Sequence, residues 1–326
     1  MLRPSKRVFC SKMTTTVNIT GDGPKSSSFV HLFCSSAELT GVLVELIFLI
    51  TLNIVLSITT ILGNTLILIA LQKESSLYPP IKLLFRCLAT TDLLAGLISE
   101  PLFVGNLTFV LNERWTICRY TSMASFLVGY ILASVSLLTV TAISVDRLFA
   151  LLLGPRYRHF VTWRRTCVTA TLLWVVAIVG TAMFFWNHRI TLWYGYIGIS
   201  LCLFTSVACY SKMFLALRHH QNHVQSHVPH DRPNQTGTLN IARFKKAVSS
   251  AVWVQLTLVV CYLPYVIADA LIADKKSSSL AYVVKESTVT LVFLNSSLNP
   301  ILYCWKIKEV RQAVKDTIRQ LYSLAS

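Results

Sequence analysis

The sequence predicts an all-α membrane protein, a bundle of seven transmembrane helices followed by a short amphipathic eighth helix. Three observations carry this. Of the 326 residues, 54% are hydrophobic and only 13% charged, with a mean hydropathy of +0.58, a balance that soluble domains rarely show. Apolar runs at 46–71, 83–104, 121–151, 168–185, 193–217, 247–271 and 282–303 each approach or exceed the roughly 20 residues that a helix needs to cross a bilayer. With odd-numbered spans running inward, 19 of the 30 Lys and Arg residues fall in the inner segments, and such a bias marks the cytoplasmic side.

This topology predicts an extracellular N-terminal tail at 1–40, a seven-helix membrane unit at 41–304 and an amphipathic helix with a cytoplasmic tail at 305–326. The net charge of +16 is then a topology signal with a role at the membrane surface, and a nucleic-acid partner is excluded. Residues 1–36 lack an apolar core of signal-peptide length, so span one serves as the signal anchor. Asn18-Ile19-Thr20 is a glycosylation sequon facing the secretory lumen, and Asn106-Leu107-Thr108 also lies outside, close to the membrane. Three of the nine cysteines, Cys10, Cys34 and Cys118, sit where oxidation is possible. No cysteine spacing suits a metal.

Residues 218–243 are polar and carry two prolines, which predicts a flexible cytoplasmic linker between spans five and six. Its histidines include i, i+4 pairs, yet a solvated basic extension explains them better than a metal site. Beyond span seven, Ile307, Val310, Val314, Ile318 and Leu321 form one apolar stripe on a charged helix, suited to lying along membrane lipids.

Ionisable or amide side chains inside a span are costly and mark function. Asp92 sits mid-span in LATTDLLAG; Asn64, Ser136, Asn295, Ser296 and Asn299 supply further oxygens. Such a set suits a small cation such as sodium, here assigned to Asp92, Ser136, Asn295 and Asn299. In span seven, NSSLNPILY places Pro300 inside a helix, where it frees a carbonyl that lipid cannot satisfy. Asn295, Ser296 and Asn299 are the local candidates to serve it. Asp146-Arg147 ends span three, and a partly buried Arg at a helix end is a permanent charge seeking carbonyls or carboxylates.

Taken in order, Gly63-Asn64, LATTDLL, SVDRL, Trp174, CYLP and NPILY resemble the signature of rhodopsin-like (class A) G-protein-coupled receptors across all seven spans and the amphipathic tail. The resemblance implies a receptor, not an enzyme, that binds an extracellular ligand and activates a heterotrimeric G protein through rearrangement of helices three, six and seven. It implies switch roles for Asp146, Arg147, Tyr210, Tyr262, Pro264, Asn299, Pro300 and Tyr303, with Tyr303 swinging toward Tyr210 and Arg147 on activation. It also implies a multi-pass protein of the plasma membrane with no cofactor other than an allosteric sodium ion. The alternative class is a transporter or channel with Asp92 in a translocation path, against which stand the Asp-Arg pair and the absence of internal repeats.

The pattern breaks in places. Leu148 follows Asp-Arg where tyrosine is usual, Tyr262 stands two residues before Pro264 where tryptophan is usual, and span five has no proline, with Cys202 near its place. The short second outer loop lacks cysteine, which resembles the melanocortin, cannabinoid and related lipid-receptor groups; no subfamily is assigned, with a melanocortin-like or adenosine-like receptor as the expectation. Cys118 is then paired with Cys34, with Cys10–Cys34 as the competing bond. Gly129 and Phe293 replace the residues expected for an amine receptor and an opsin. Outer-end pocket candidates are Glu100, Phe103, Trp186, Trp193, Tyr265, Asp269, Lys285 and Glu286, for a peptide, lipid or nucleoside. Relatives restrain the span-three Arg with an acid at the place of Phe244, whose neighbours Arg243, Lys245 and Lys246 are basic, so appreciable ligand-free activity is expected.

Overall fold

The computed structural model describes residues 41–73, 77–227, 256–272, 278–306 and 308–325. Span one is Leu43–Lys73. Span two runs from Pro79 to Leu111 in three pieces, an α-helix Pro79–Leu94, one π-helical turn Ala95–Ser99 and an α-helix Glu100–Leu111. Span three is Trp115–Leu153, span four Trp163–Ala182, span five His188–His227, and span seven Ser279–Lys306. Leu256–Ile272 belongs to span six. The amphipathic helix is Lys308–Ala325. Five of these helices are both long and apolar enough to cross a membrane, and the described residues contain no strand.

Several spans outrun the apolar runs that announce them, because a helix continues past the membrane wherever nothing stops it. Span five passes through the predicted start of the linker and reaches His227, just before Val228-Pro229, a pair that disfavours helix. Most of the linker, the N-terminal tail and Phe244 lie outside the described residues. Span three stops at Gly154, whose φ of +47° glycine adopts without Cβ strain, with Pro155 next. Only Trp186 and Asn187 separate the 3-10 turn after span four from span five, and Asn187 Oδ1 accepts the Arg189 N–H at 3.0 Å, an N-terminal cap.

Span one is the clamp of the bundle. Asn53, Ser57, Thr60 and Asn64 follow steps of four, three and four, one face of a helix. The prolines of spans two and seven each deny a carbonyl its partner, and this face supplies two of the missing donors. Pro300 cannot serve Ser296 O, and Asn64 Nδ2 donates to it at 3.2 Å. In the π register Glu100 N–H reaches Ala95 O, so the next carbonyl, Gly96 O, would need the N–H that Pro101 lacks. Ser57 Oγ donates there at 2.8 Å. The expectation that Asn295, Ser296 or Asn299 would serve the Pro300 gap is therefore corrected: the donor comes from another helix.

Close approach makes this possible. A Cβ on Gly63 would stand 3.0 Å from Pro300 Cγ, and one on Gly96 would stand 3.0 Å from Thr60 Cγ2. Beneath, the amphipathic helix packs against spans one and seven with Val310, Ala313, Val314 and Thr317 buried and Ile318 36% exposed. Of the predicted stripe, Val310 and Val314 are buried and Ile318 is not, while Ala313 and Thr317 join the buried face; the side chains of Ile307 and Leu321 lie outside the described ones. Lys73 Nζ donates to Gln320 Oε1 at 2.5 Å.

Gly63→Val should push spans one and seven apart and destabilise the receptor by about 1–3 kcal/mol, read as a lower melting temperature of the purified protein. Unaltered melting would show that the contact at Pro300 is slack.

Candidate functional site

Mid-bundle, three donors converge on Asp92. Its Oδ1 accepts from Ser136 Oγ of span three at 3.0 Å and Ser296 Oγ of span seven at 2.9 Å, and its Oδ2 accepts from Asn299 Nδ2 at 2.8 Å. Asp92 is wholly buried. One carboxylate thus ties spans two, three and seven, and the residue that holds it, Asn299, immediately precedes the helix-breaking Pro300. Of the four residues assigned to a cation, the structure brings together Asp92, Ser136 and Asn299 and adds Ser296. Asn295 is buried nearby in sequence but neither of its side-chain polar atoms has a hydrogen-bond partner among the described residues.

At the inner end of span three, Arg147 turns back on its neighbour. Its Nη2 and Nε donate to Asp146 Oδ2 at 2.6 and 3.1 Å. The other oxygen, Oδ1, accepts from Tyr157 Oη at 2.7 Å. Asp146 is 6% exposed and Arg147 42%, so the Coulomb term on the Arg side is screened by solvent and the geometry rests on the buried carboxylate. Tyr157 follows the turn at Gly154-Pro155 and packs on Tyr78 with ring centroids 5.6 Å apart, while Tyr78 Oη donates to Val161 O at 2.8 Å. Neither tyrosine was expected at the switch; the signal for Tyr157 was a glycine-proline stop that returns the chain to the end of span three.

The remaining switch residues stand apart. Tyr210 Oη lies 2.8 Å from Ser144 Oγ. Leu148 packs with Cys209, Tyr210 and Met213, so the leucine in the usual tyrosine's place joins spans three and five by apolar contact. Tyr303 meets Phe85 edge-on at 5.1 Å, and its buried hydroxyl has no partner among the described residues. Tyr262 Oη donates to Ala133 O at 3.4 Å, beneath the span-six proline, Pro264.

At the outer end, Asp269 joins spans five, six and seven. Its Oδ2 accepts from Tyr196 Oη at 2.6 Å, and Lys285 Nζ stands 3.2 Å from its Oδ1. Glu286 is 3% exposed, and Tyr265 is half-buried on the same stretch of span six. Tyr196 was missed because it lies one turn inside a run read only as an apolar span. Other pocket candidates fall elsewhere. Trp186 and Trp193 are 86% and 63% exposed and stand on the outer surface. Phe103 packs edge-on against Phe293 at 5.4 Å in an apolar cluster with Leu46, Leu49 and Leu107. Glu100 is sealed between spans one, two and seven, as the π turn dictates.

A Cβ on Gly129 would approach Ser99 Oγ to 3.0 Å, so the π turn of span two occupies the place that an amine receptor gives to its carboxylate. Asn106, read as facing outward, is 4% exposed and accepts from Ser122 Oγ at 2.6 Å, which rules out a glycan on the folded chain. Cys118 is disulfide-bonded, and the six other described cysteines are free. Cys10, Cys34 and the Asn18 sequon lie outside the described residues.

A helical bundle with a buried carboxylate hub, an Asp-Arg pair at the end of span three and a proline inside its seventh helix defines a membrane receptor that signals by rearranging its helices. The chain matches the family described as 7 transmembrane receptor (rhodopsin family) over residues 63–190 and 180–303, and it belongs to that family. It is a G-protein-coupled receptor and a multi-pass membrane protein, not an enzyme. Among curated proteins it is similar to adenosine receptor A3 of Ovis aries, 26% identical over 288 residues covering 81% of this chain and 87% of the relative. The same receptor of Bos taurus is 26% identical over 290 residues. Muscarinic acetylcholine receptor M3 of Bos taurus is 28% identical over 146 residues, 44% of this chain and 24% of the relative. Nothing in these likenesses favours a transporter.

Tyr157→Phe should loosen the turn after span three. Losing one hydrogen bond to a charged group, about 1.5 kcal/mol, should speed amide exchange across 154–162 on the order of tenfold. Unchanged protection would show that Tyr157 does not tether the turn.

Proposed function

We propose that the receptor works in the plasma membrane with its N-terminus outside and its C-terminus in the cytoplasm. It takes a ligand beside Asp269, Lys285, Glu286 and Tyr265 and passes the signal to a heterotrimeric G protein at the inner ends of spans three, six and seven. The observation that carries this reading is the Asp92 hub, which ties span two to spans three and seven, two of the three helices whose rearrangement carries the signal. A sodium ion at Asp92, among Ser136, Ser296, Asn299 and the unpartnered Asn295, holds spans two, three and seven in the closed arrangement. A cation that binds one state better must shift the equilibrium toward it. On activation Tyr303 leaves Phe85, and its unpartnered hydroxyl gains Tyr210 and Arg147 as neighbours.

Cys34 is the partner of Cys118 in this reading, drawing the tail over the outer mouth, and Asn18 carries the glycan. The amphipathic helix rests on inner-leaflet lipids. The ligand is a nucleoside, lipid or peptide, and the relatives named for adenosine, which span most of the chain, put nucleosides first in a screen by nucleotide exchange.

Without a ligand, basal nucleotide exchange by a purified G protein on receptor vesicles is the available readout. Exchange should be slower in sodium chloride than in N-methyl-glucamine chloride of equal ionic strength, and Asp92→Asn should remove the difference. Coincident wild-type rates would contradict the sodium role. Independently, Phe244→Glu should give Arg147 a cross-helix partner. A charge-assisted bond is worth about 1.5 to 3 kcal/mol, so basal exchange should fall roughly tenfold at equal expression. A basal rate that held or rose would mean Arg147 is not waiting for an acid there.

A further inference from the structure

Glu100 is an ionisable group that the switch leaves unused. It follows Asp92 by eight residues, which in an unbroken α-helix turns it about 80° away from the Asp92 face. The π turn Ala95–Ser99 inserts one extra residue, so Glu100 takes the bearing of a seven-residue offset, within about 20° of Asp92 and roughly 11 Å further out. Span two therefore presents two carboxylates on one buried face.

Their surroundings differ. Asp92 accepts from three donors. Glu100 is fully buried, yet Oε1 accepts only from Thr60 Oγ1 at 3.2 Å, and the buried Oε2 has no partner among the described residues. With the Thr60 hydroxyl donating to Glu100, the Ser297 hydroxyl donates to Thr60 Oγ1 at 2.6 Å, and Ser297 Oγ stands 3.3 Å from Leu56 O. Among the described residues, the charged and titratable groups on the packed elements bring no compensating cation. Glu45 and Lys73 are exposed at opposite ends of span one, and Lys82 and Arg86 lie at the inner end of span two. Arg119 is exposed at the outer end of span three, with Asp146 and Arg147 at its inner end. On span seven Lys285 pairs with Asp269, while Tyr282 and Glu286 lie nearer the outer end and Tyr303 the inner end. Asp92, on the same face, adds negative charge. A lone carboxylate in the membrane interior is stable only when neutralised.

We propose that Glu100, Thr60 and Ser297 form a second small-cation site, separate from Asp92, filled by a sodium ion or a proton. The donor set is all oxygen, one carboxylate and two hydroxyls, which suits a hard cation. Asn53, whose Nδ2 donates to Thr290 Oγ1 at 2.9 Å, extends the same polar seam outward between spans one and seven toward Glu286.

The test is the melting temperature of full-length receptor in nanodiscs, since a ligand that binds only the folded state raises it. Asp92→Asn and the Asp92→Asn/Glu100→Gln double variant are each titrated with sodium against N-methyl-glucamine, and with pH across the neutral range. Working in the Asp92→Asn background separates this site from the sodium reading at Asp92. A sodium response that survives Asp92→Asn and vanishes in the double variant identifies sodium; a pH response with that behaviour and no sodium response identifies a proton. If Asp92→Asn is flat in both titrations, or the double variant retains the response, the site does not exist. Thr60→Val on the Asp92→Asn background keeps the carboxylate should Glu100→Gln not fold, and it should move the midpoint of the surviving response about tenfold in concentration; an unmoved midpoint overturns the assignment.

Discussion

Pro101 in span two and Pro300 in span seven each leave a carbonyl without its helical donor, and span one answers both. In water the shortfall would be met by solvent, but in lipid it must be met by protein. Asn64 serves Ser296 O and Ser57 serves Gly96 O, and glycines 63 and 96 let the backbones come close enough. Span one is thus less a wall of the bundle than the fixed frame against which spans two and seven are allowed to be irregular.

Function grows from those irregularities. Pro300 removes one backbone bond of the continuous span-seven helix beside Asn299, which holds Asp92, and one turn before Tyr303, which rests on Phe85. The π turn in span two rotates Glu100 into the seam and Ser99 toward Gly129, closing the place where a span-three carboxylate would otherwise reach a ligand. At the inner face Asp146 is saturated by Arg147 on one oxygen and Tyr157 on the other. In the proposed activation, a rearrangement there must break these bonds or carry Tyr157 along with span three.

The spans and the contacts of Asp92 with Ser136 and Asn299 were legible because each leaves a local mark: an apolar run, or a polar residue in lipid. What escaped depends on geometry between helices. That Asn64, and not Asn299, serves the freed carbonyl needs the packing of span one on span seven. Glu100 reads as a pocket residue until the π turn changes its bearing, and Pro101 was the signal that such a turn was due. Trp186 and Trp193 read as pocket walls by sequence position alone, yet the two-residue link between spans four and five leaves them facing outward. The stripe Asn53, Ser57, Thr60, Asn64 was visible at helical spacing and marked the face that would hold the bundle together.

The account's central claim is that Asn64 exists for the carbonyl that Pro300 frees. A double-mutant cycle of Asn64→Leu and Pro300→Ala, read by melting of the purified receptor, tests it most directly. Asn64→Leu should cost about 1–3 kcal/mol in wild type and much less once Pro300→Ala restores the backbone N–H to Ser296 O. Equal costs in the two backgrounds would contradict the claim.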